Sequence, residues 1–496
     1  MLFGPEESLA ECQTIEFKEA SVCLPDDVWE TYSAFANTEG GKIVLGIAET
    51  SPGVFKVEGV GDARTVMRQF WENVRNPQRV ENDVMLPDGV SIDCSYGVDL
   101  VVVNVPRAER HMRPVRVYDK KTKSFVAFVR RDVIDTRCND FEMRLLEYDA
   151  LPAADRRAIE ELDISALDGN TIASYRQLFN GNKPGHPWSL ESDADFLYRI
   201  GALAKDRTGR LCPTLAGLLA FGHEYEIVGH LPYFLLDYRN ESSGSARWDD
   251  RLTSNSGDWS GNLFDFYFAV MPKIDALLLT PLSVSQDGTS HRFTNDVKDA
   301  VHEALANALV HAYYGGQSTV RVIVKDEQIV FENAGSFLVD RNVAIAGGIS
   351  DPRNPTLMRI FGMVGISDRA GSGLCTIYAT WKKRYGSVPR LSESYAPAKV
   401  VFELPIDCSV AGDAGIRGTV DEDTLLLLCR KEQGITAEEA AQFFGVLPRA
   451  IQKRMKKLES NGVVVHEKKG RSFYYISCVL LSDASVNYRS NYQWNE

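Results

Sequence analysis

The fold of the first part of the chain is decided by two neighbouring stretches, Glu11-Cys-Gln-Thr-Ile-Glu-Phe-Lys18 and Ala34-Phe-Ala-Asn-Thr-Glu-Gly-Gly-Lys-Ile-Val-Leu-Gly-Ile-Ala-Glu49. Polar and apolar residues alternate over 14–18, which predicts a strand with Ile15 and Phe17 facing a core and the polar residues on the other face. Aromatic residues at helical spacing predict a helix that ends before Gly40 and Gly41. The apolar run after these glycines predicts a buried second strand.

These two stretches resemble the Schlafen AlbA-type nucleic-acid-binding domain, whose hallmark is an EFK strand followed by AFANTEGG and a further strand. The resemblance implies a nucleic-acid-facing module in residues 1–140. Within it we expect Lys18, Arg130 and Arg131 to contact nucleic acid.

Some Schlafen-type proteins are metal-dependent endoribonucleases that use three carboxylates, and Glu11, Glu16 and Glu49 match that spacing. Converging acidic oxygens would hold a divalent metal and activate water for attack on a phosphodiester. The alternative is that Glu16 and Lys18, which share a strand face, simply pair with each other. Both interpretations stay open.

Composition places the chain among ordinary globular proteins. It has 496 residues, of which 44% are hydrophobic and 25% charged, and the length predicts about three or four domains. The nine cysteines are scattered and include no CxxC, which predicts a reducing, cytoplasmic setting without a disulfide framework or zinc cluster. No signal peptide and no apolar run of membrane-spanning length is present, so we expect no membrane association.

Charge is distributed unevenly along the chain. The net charge is −13, yet residues 106–137 contain ten Lys or Arg against four Asp or Glu, and residues 448–471 contain eight against two. Two basic stretches in an acidic chain are typical of a protein that contacts a polyanion at separate places. The alternative is that each stretch is a solvated surface.

The order of patterns predicts an α/β (α+β) multidomain protein with four parts. They are a Schlafen AlbA-type domain at 1–140, a helical connector at 150–290, a compact α/β unit at 291–406 and a C-terminal module at 418–482. A flexible linker is predicted at 407–420, because that segment is rich in small residues.

The third part begins with a predicted helix over 295–314 that has a polar stripe. Glu303, Asn307 and His311 are four residues apart, so they line up along one side of the helix. Two strands and the turn Asn333-Ala-Gly335 follow, and then Gly371-Ser-Gly373 precedes another helix. A solvated helix face is the alternative explanation of the stripe.

This arrangement resembles the divergent GHKL ATPase-like domain. By resemblance, Glu303 orients the attacking water and Asn307 holds Mg²⁺. We expect His311 to be structural or to lie near the phosphates of bound ATP, rather than to be a metal ligand. Gly371 and Gly373 would let the backbone approach those phosphates. Active relatives have an Asp that reads the adenine amino group, where this chain has Asn333 before Gly335; an Asn can accept through its carbonyl but lacks the charge.

The C-terminal module has the pattern of a winged helix-turn-helix. The pattern predicts a first helix at 421–430, and a capping-box pattern opens a second helix at Thr436. Pro448 begins a third helix with Ile451, Met455 and Leu458 inward, and two strands flank a basic turn. Such a helix enters the major groove of DNA, and the wing reaches phosphates. The predicted DNA-binding residues are Arg449, Gln452, Lys453, Lys456, Lys468, Lys469 and Arg471. A protein-interaction module is the alternative.

Taken in order, these parts resemble bacterial transcriptional regulators. The leading hypothesis is therefore a cytoplasmic, nucleotide-responsive DNA-binding regulator that uses ATP and Mg²⁺ and acts as a dimer. The second hypothesis is a Schlafen-type endonuclease acting on RNA or DNA, with a role in defence.

Overall fold

A computed structural model of the protein describes residues 9–241, 248–279, 295–316, 320–325, 327–339, 341–348, 351–367, 373–395, 397–406, 425, 429, 435–444, 448–460, 464–469 and 472–477. The chain divides into two compact units, which are Met1–Ala154 with Glu393–Lys399, and Asp155–Ser392 with Val400–Glu496. Within the described residues, no helix is both long and apolar enough to cross a membrane.

The first unit is built on a four-stranded sheet with smaller sheets beside it. Its elements are β1 (Ile15–Lys18), α1 (Val28–Asn37), β2 (Gly41–Leu45), β3 (Ile47–Ser51), β4 (Val54–Val57), α2 (Ala63–Val74), β5 (Val90–Asp93), β6 (Leu100–Val105), β7 (Arg116–Asp119), β8 (Ser124–Arg131), β9 (Ile134–Arg137) and α3 (Asp140–Ala150). The main sheet has the order β1-β2-β6-β5, with β1 parallel to β2. The predicted strand, helix and second strand are thus all present.

The Asn of the AFANTEGG stretch has a structural role. Asn37 is buried, and its amide donates to the carbonyls of Val115 and Phe128, both at 3.0 Å. Its amide oxygen accepts from the Val115 backbone N–H at 2.8 Å. Asn37 therefore joins α1 to β8 and to the residue just before β7, where unpaired backbone groups would otherwise be buried.

The second unit contains a six-stranded sheet. Its elements up to that sheet's last strand are α4 (Gly169–Asn182), α5 (Asp193–Ile200), β10 (Leu203–Lys205), β11 (Leu211–Pro213), α6 (Leu215–Phe221), α7 (Glu224–His230), β12 (Leu236–Asn240), β13 (Asp250–Thr253), α8 (Leu263–Leu279), α9 (Asn295–Val310), β14 (Val320–Lys325), β15 (Gln328–Ala334), α10 (Arg341–Ala346), α11 (Pro355–Met363), α12 (Gly373–Tyr385), β16 (Arg390–Tyr395) and β17 (Ala398–Pro405). The sheet order is β13-β12-β14-β15-β17-β16.

The sheet extends across the predicted boundary at residue 291. Strand β12 belongs to the segment predicted as a connector, yet it pairs in parallel with β14 from Leu236↔Val320 to Asn240↔Val324. One apolar core contains residues from both segments, including Tyr175 of α4 and Phe331 of β15. The predicted connector and α/β unit therefore share a sheet and a core.

Polar contacts also join the two segments. Buried Asp155 accepts hydrogen bonds from the Thr356 and Leu357 backbone N–H groups at 2.8 and 2.9 Å, at the N-terminus of α11. Burial raises the pKa of Asp155 despite these hydrogen bonds. The Tyr175 hydroxyl donates to the Ile360 carbonyl at 2.8 Å. These contacts fix α11 against α4 and the segment before it.

Within the described residues, the C-terminal module contains β18 (Ile435–Thr436), α13 (Ala437–Phe444), α14 (Pro448–Ser460), β19 (Val464–Lys469) and β20 (Ser472–Ser477), with the sheet order β18-β20-β19. Most of the predicted helix at 421–430 lies outside the described residues. The predicted capping box is present, because the Thr436 backbone N–H donates to Glu439 at 2.9 Å and the Glu439 backbone N–H donates to the Thr436 hydroxyl at 3.2 Å. Ile451, Met455 and Leu458 are buried, as predicted. The predicted linker at 407–420 lies outside the described residues.

Candidate functional site

A cavity lies between α9, the sheet and the segments that carry α10 and α12. Its apolar lining comprises Ala304, Ala308, Phe331, Phe337, Leu338, Val339, Ala344, Met358, Leu374, Leu391, Val400 and Phe402. Its polar lining comprises Glu303, Asn307, His311, Asn333, Ser336, Asp351 and Arg353, with Gly373 beside them. A mostly apolar cavity with a few polar groups is the usual form of a small-molecule site. The predicted stripe of α9 therefore faces a cavity.

Glu303 and Asn307 are joined by a hydrogen bond and lie beside the N-terminus of α12. The Asn307 amide nitrogen donates to Glu303 Oε1 at 3.2 Å. A methyl group on Gly373, the first residue of α12, would lie only 2.1 Å from the same oxygen. The carboxylate thus lies against a helix N-terminus, where the macrodipole favours negative charge. Burial, followed by the charge of Glu303, raises the pKa of Tyr267 on α8.

The turn that was predicted to read a base forms another part of the cavity wall. Asn333 is buried, and its amide nitrogen donates to the Ala334 carbonyl at 3.3 Å. An Asn that uses its nitrogen in this way can still accept through its amide oxygen. Gly335 follows with a φ of +107°, and a methyl group there would lie 2.5 Å from Arg353 Nη1.

Arg353 and Asn354 are residues of this site to which the sequence assigned no role. Arg353 is buried and donates to the carbonyls of His311 at 2.6 Å and Ser336 at 2.7 Å. Asn354, also buried, donates to the carbonyls of Val310 and Ala312, both at 2.8 Å. The signal that could have drawn attention to these two residues is the sequence Arg353-Asn354-Pro355 before a helix, because Pro355 is the first residue of α11.

The same contacts explain where α9 ends. The sequence predicted a helix to Tyr314, but α9 ends at Val310. The carbonyls of Val310, His311 and Ala312 accept hydrogen bonds from the side chains of Arg353 and Asn354. A helix C-terminus needs such partners, and a distant part of the chain supplies them.

The donor set at Glu303 and Asn307 fits Mg²⁺ in chemical type. A carboxylate and an amide oxygen are ligands that Mg²⁺ accepts, and the ion usually takes the others from phosphates and water. Among the residues that the structure describes, no group of three or more His, Cys, Asp or Glu side chains could hold a metal. Asn307, beside Glu303, would therefore hold the ion together with a ligand that brings its own oxygens.

The three carboxylates of the first unit occupy different surroundings. Glu11 accepts from the Phe17 backbone N–H at 3.0 Å, and burial, the main cause, raises its pKa, with the charge of Glu16 adding to the increase. Glu16 pairs with Lys18 at 2.9 Å and with Arg130 at 2.8 Å. Glu49 accepts from the Gly53 N–H at 2.8 Å in the β3–β4 hairpin. Each carboxylate is thus engaged locally.

The cations expected to contact nucleic acid in the first unit are paired. Arg130 has no exposed side-chain surface, and besides Glu16 it pairs with Asp135 at 2.9 Å. Lys18 also pairs with Asp27 at 3.0 Å, and Arg131 pairs with Glu142. The Glu16 side chain is buried beside Arg130. Arg130 is thus held between two carboxylates with no exposed side-chain surface, and its contact with nucleic acid stays a prediction.

The C-terminal module presents its cations differently. Arg449, Gln452, Lys453 and Lys456 are all exposed on α14, on the side away from the buried apolar residues. Within the described residues, Arg449, Lys453 and Lys456 have no ion-pair partner. Lys468 on β19 is exposed and lies over the Phe473 ring at 5.8 Å. The predicted site residues Gly371 and Arg471 and the side chain of Lys469 lie outside the described residues.

Three family models match separate segments of the chain. Residues 11–139 match Schlafen, AlbA_2. Residues 144–237 match a domain of unknown function, DUF8451. Residues 317–402 match the family described as putative ATP-dependent DNA helicase recG C-terminal. A Schlafen AlbA_2 domain and a recG-like C-terminal domain are therefore present. The last match includes Asn333 and Gly373 but begins after α9.

The chain is similar to several solved structures, two of which are described below, and no curated protein matches it. The DIP2311 protein from Corynebacterium diphtheriae is 15% identical with a TM-score of 0.41, and the alignment covers 95% of this chain and 93% of that one. The N-terminal domain of a putative ATP-dependent DNA helicase RecG-related protein from Nitrosomonas europaea is 28% identical with a TM-score of 0.19. It covers 25% of this chain and 82% of that one.

Gly335 and Gly348 both have a positive φ, but only Gly335 lies against another side chain. Replacing each of them by Ala therefore separates the cost of backbone strain from the cost of crowding. Gly348 has a φ of +93° with open space around it, whereas Gly335 also abuts Arg353. We expect Gly348→Ala to cost about 1 kcal/mol of unfolding free energy from backbone strain alone. Gly335→Ala should cost about 1–3 kcal/mol more because it overpacks a buried guanidinium. Equilibrium urea unfolding of both variants measures the difference, and equal losses would contradict the crowding.

Proposed function

We propose that the protein is a nucleotide-responsive DNA-binding protein that acts as a transcriptional regulator. ATP with Mg²⁺ occupies the cavity beside α9, and the C-terminal module binds duplex DNA. The observation that carries the proposal is the placement of Glu303 and Asn307 in a cavity, against the N-terminus of α12. A dimer that reads paired half-sites is part of the same proposal.

Different parts of the cavity match the base, the phosphates and the metal ion of bound ATP. The apolar side chains offer a surface for a base, and the Asn333 amide oxygen can accept from the adenine amino group. The N-terminus of α12 favours phosphate, as helix N-termini do. Glu303 would orient a water molecule for attack on the terminal phosphate, and Asn307 would hold both this carboxylate and the metal. A six-stranded sheet that shares its core with helices supports the GHKL-like assignment of this part.

The C-terminal module supports DNA binding through its shape and charge. Two helices and a three-stranded sheet fit a winged helix-turn-helix, in which α14 is the recognition helix. Its exposed Arg449, Lys453 and Lys456 can meet phosphates or base edges. The Schlafen AlbA_2 and recG-like matches also support a role connected with nucleic acid.

The alternative, a metal-dependent nuclease, stays a prediction with weaker support. Glu16 is held by Lys18 and Arg130, and Glu49 is engaged in its own hairpin. We therefore expect labelled RNA and DNA to stay intact with the protein in Mg²⁺ or Mn²⁺. Metal-dependent cleavage that Glu16→Ala abolishes would instead establish the nuclease.

Substitution of Asn307 tests the nucleotide site. We expect Asn307→Ala to weaken binding of ATP with Mg²⁺ by about ten- to a hundredfold, the loss usual when support of a metal is removed. Asp299→Asn is the matched control, because Asp299 is exposed on the same helix and does not line the cavity. Isothermal titration calorimetry measures both affinities. Equal affinities for the two variants, or no binding by the wild type, would contradict the site.

Removal of three cations from α14 tests the DNA-binding surface. The triple variant Arg449→Ala, Lys453→Ala and Lys456→Ala should weaken duplex binding and lower the slope of log K against log salt by about 2–3, near 0.9 for each phosphate that the variant no longer neutralises. The control is Lys325→Ala, Lys383→Ala and Arg390→Ala, which removes the same charges from other exposed positions. Fluorescence anisotropy over a salt series measures both. A control as defective as the α14 variant would show that only overall charge matters.

A further inference from the structure

Helix α10 lies between the cavity and the C-terminal module. Ala344 lines the cavity. Ala346, two residues later, is buried and belongs to the apolar cluster of the C-terminal module, together with Ile435, Ala440 and Ile451. Two residues along a helix correspond to a rotation of about 200°, so these two methyl groups point to opposite sides. One face of α10 thus borders the candidate ligand site, and the other borders the module.

The ends of this segment are joined to each other. The chain enters α10 after Ser336 and leaves it before Arg353, and the Arg353 guanidinium donates to the Ser336 carbonyl at 2.7 Å. Gly347 and Gly348 directly follow α10 with φ values of +79° and +93°. The base of the segment is therefore fixed at the cavity wall, while the backbone after α10 occupies conformations that favour glycine.

We propose that α10 transmits the presence of a ligand in the cavity to the C-terminal module. The inference rests on the proposed function and names the element that makes DNA binding responsive to nucleotide. A ligand shifts an equilibrium only through contacts that differ between two states. Ala344 supplies a contact that exists only when the cavity is filled, and Ala346 carries the resulting displacement of α10 to the cluster around Ile435 and Ala440.

The coupling works in both directions. If ATP changes the affinity for a duplex by some factor, the duplex must change the affinity for ATP by the same factor. Couplings of this kind usually amount to about five- to 150-fold. In the wild type we expect a change of at least about fivefold in each affinity.

The substitution Ala346→Asp disturbs the face of α10 that borders the module and leaves the face that borders the cavity unchanged. A carboxylate at this position cannot be buried in the apolar cluster without a large cost, so α10 should detach from the module. The cavity face is unchanged, and ATP should bind with the wild-type affinity within about twofold. Arg341→Ala is the matched control, because Arg341 is exposed on the same helix. Ala346→Ser is a milder version in case the Asp variant unfolds the module.

The experiment measures duplex affinity with and without ATP and Mg²⁺ for the wild type and the three variants. Hydrogen exchange of α13 and α14, followed in the same samples, shows whether the module stays folded. The proposal expects the ATP effect on duplex affinity in the wild type and in Arg341→Ala, its loss in Ala346→Asp, and its reduction in Ala346→Ser.

Three outcomes would contradict this inference, and they differ in what they leave of the proposed function. If Ala346→Asp keeps a folded module and the full ATP effect, α10 is not the transmitting element, while nucleotide-responsive DNA binding stands. If the wild type binds no ATP or no duplex, the proposed function fails, and the inference fails with it. A wild type that binds both without mutual influence overturns the inference and the nucleotide response of the proposed function, and leaves the two binding sites in place.

Discussion

The cavity depends on one buried cation. Arg353 joins the end of α9 to the turn after β15 through the carbonyls of His311 and Ser336. A guanidinium is costly to bury unless hydrogen bonds satisfy it, so its partners and its position are fixed together. Gly335 has no side chain at the place where the guanidinium lies. The walls that carry Glu303, Asn307 and Asn333 are therefore set by a residue from a separate part of the chain.

Local patterns in the sequence predicted local structure well. The strand at 15–18, the helix that ends at Asn37, and the capping box of Thr436 and Glu439 all depend on neighbours within a few residues. Helical periodicity also predicted that Glu303, Asn307 and His311 share one side of α9, and all three line the cavity. Their chemical roles stay a proposal.

The pairing of strands and charges that are distant in the sequence could not be predicted in the same way. β12 joins β14 in parallel although about eighty residues separate them, and no local signal marks such a partner. Similarly, charge counting in the first unit could not show that Arg130 would be buried with Glu16 and Asp135. A basic stretch gives the number of cations, but it does not show that Arg130 pairs with Glu16 on β1 or that Arg131 pairs with Glu142 on α3. On α14 the cations remain exposed because the apolar residues occupy the opposite face.

The central claim is that the cavity beside α9 binds ATP, and photolabelling tests it most directly. With 8-azido-ATP, Mg²⁺ and ultraviolet light, the account predicts labelled peptides from β15 and from the start of β17, whose Phe331, Val400 and Phe402 line the cavity. Unlabelled ATP should compete, and Asn307→Ala should reduce the label. Labelling confined to peptides outside the cavity lining, or labelling that ATP does not displace, would contradict the account.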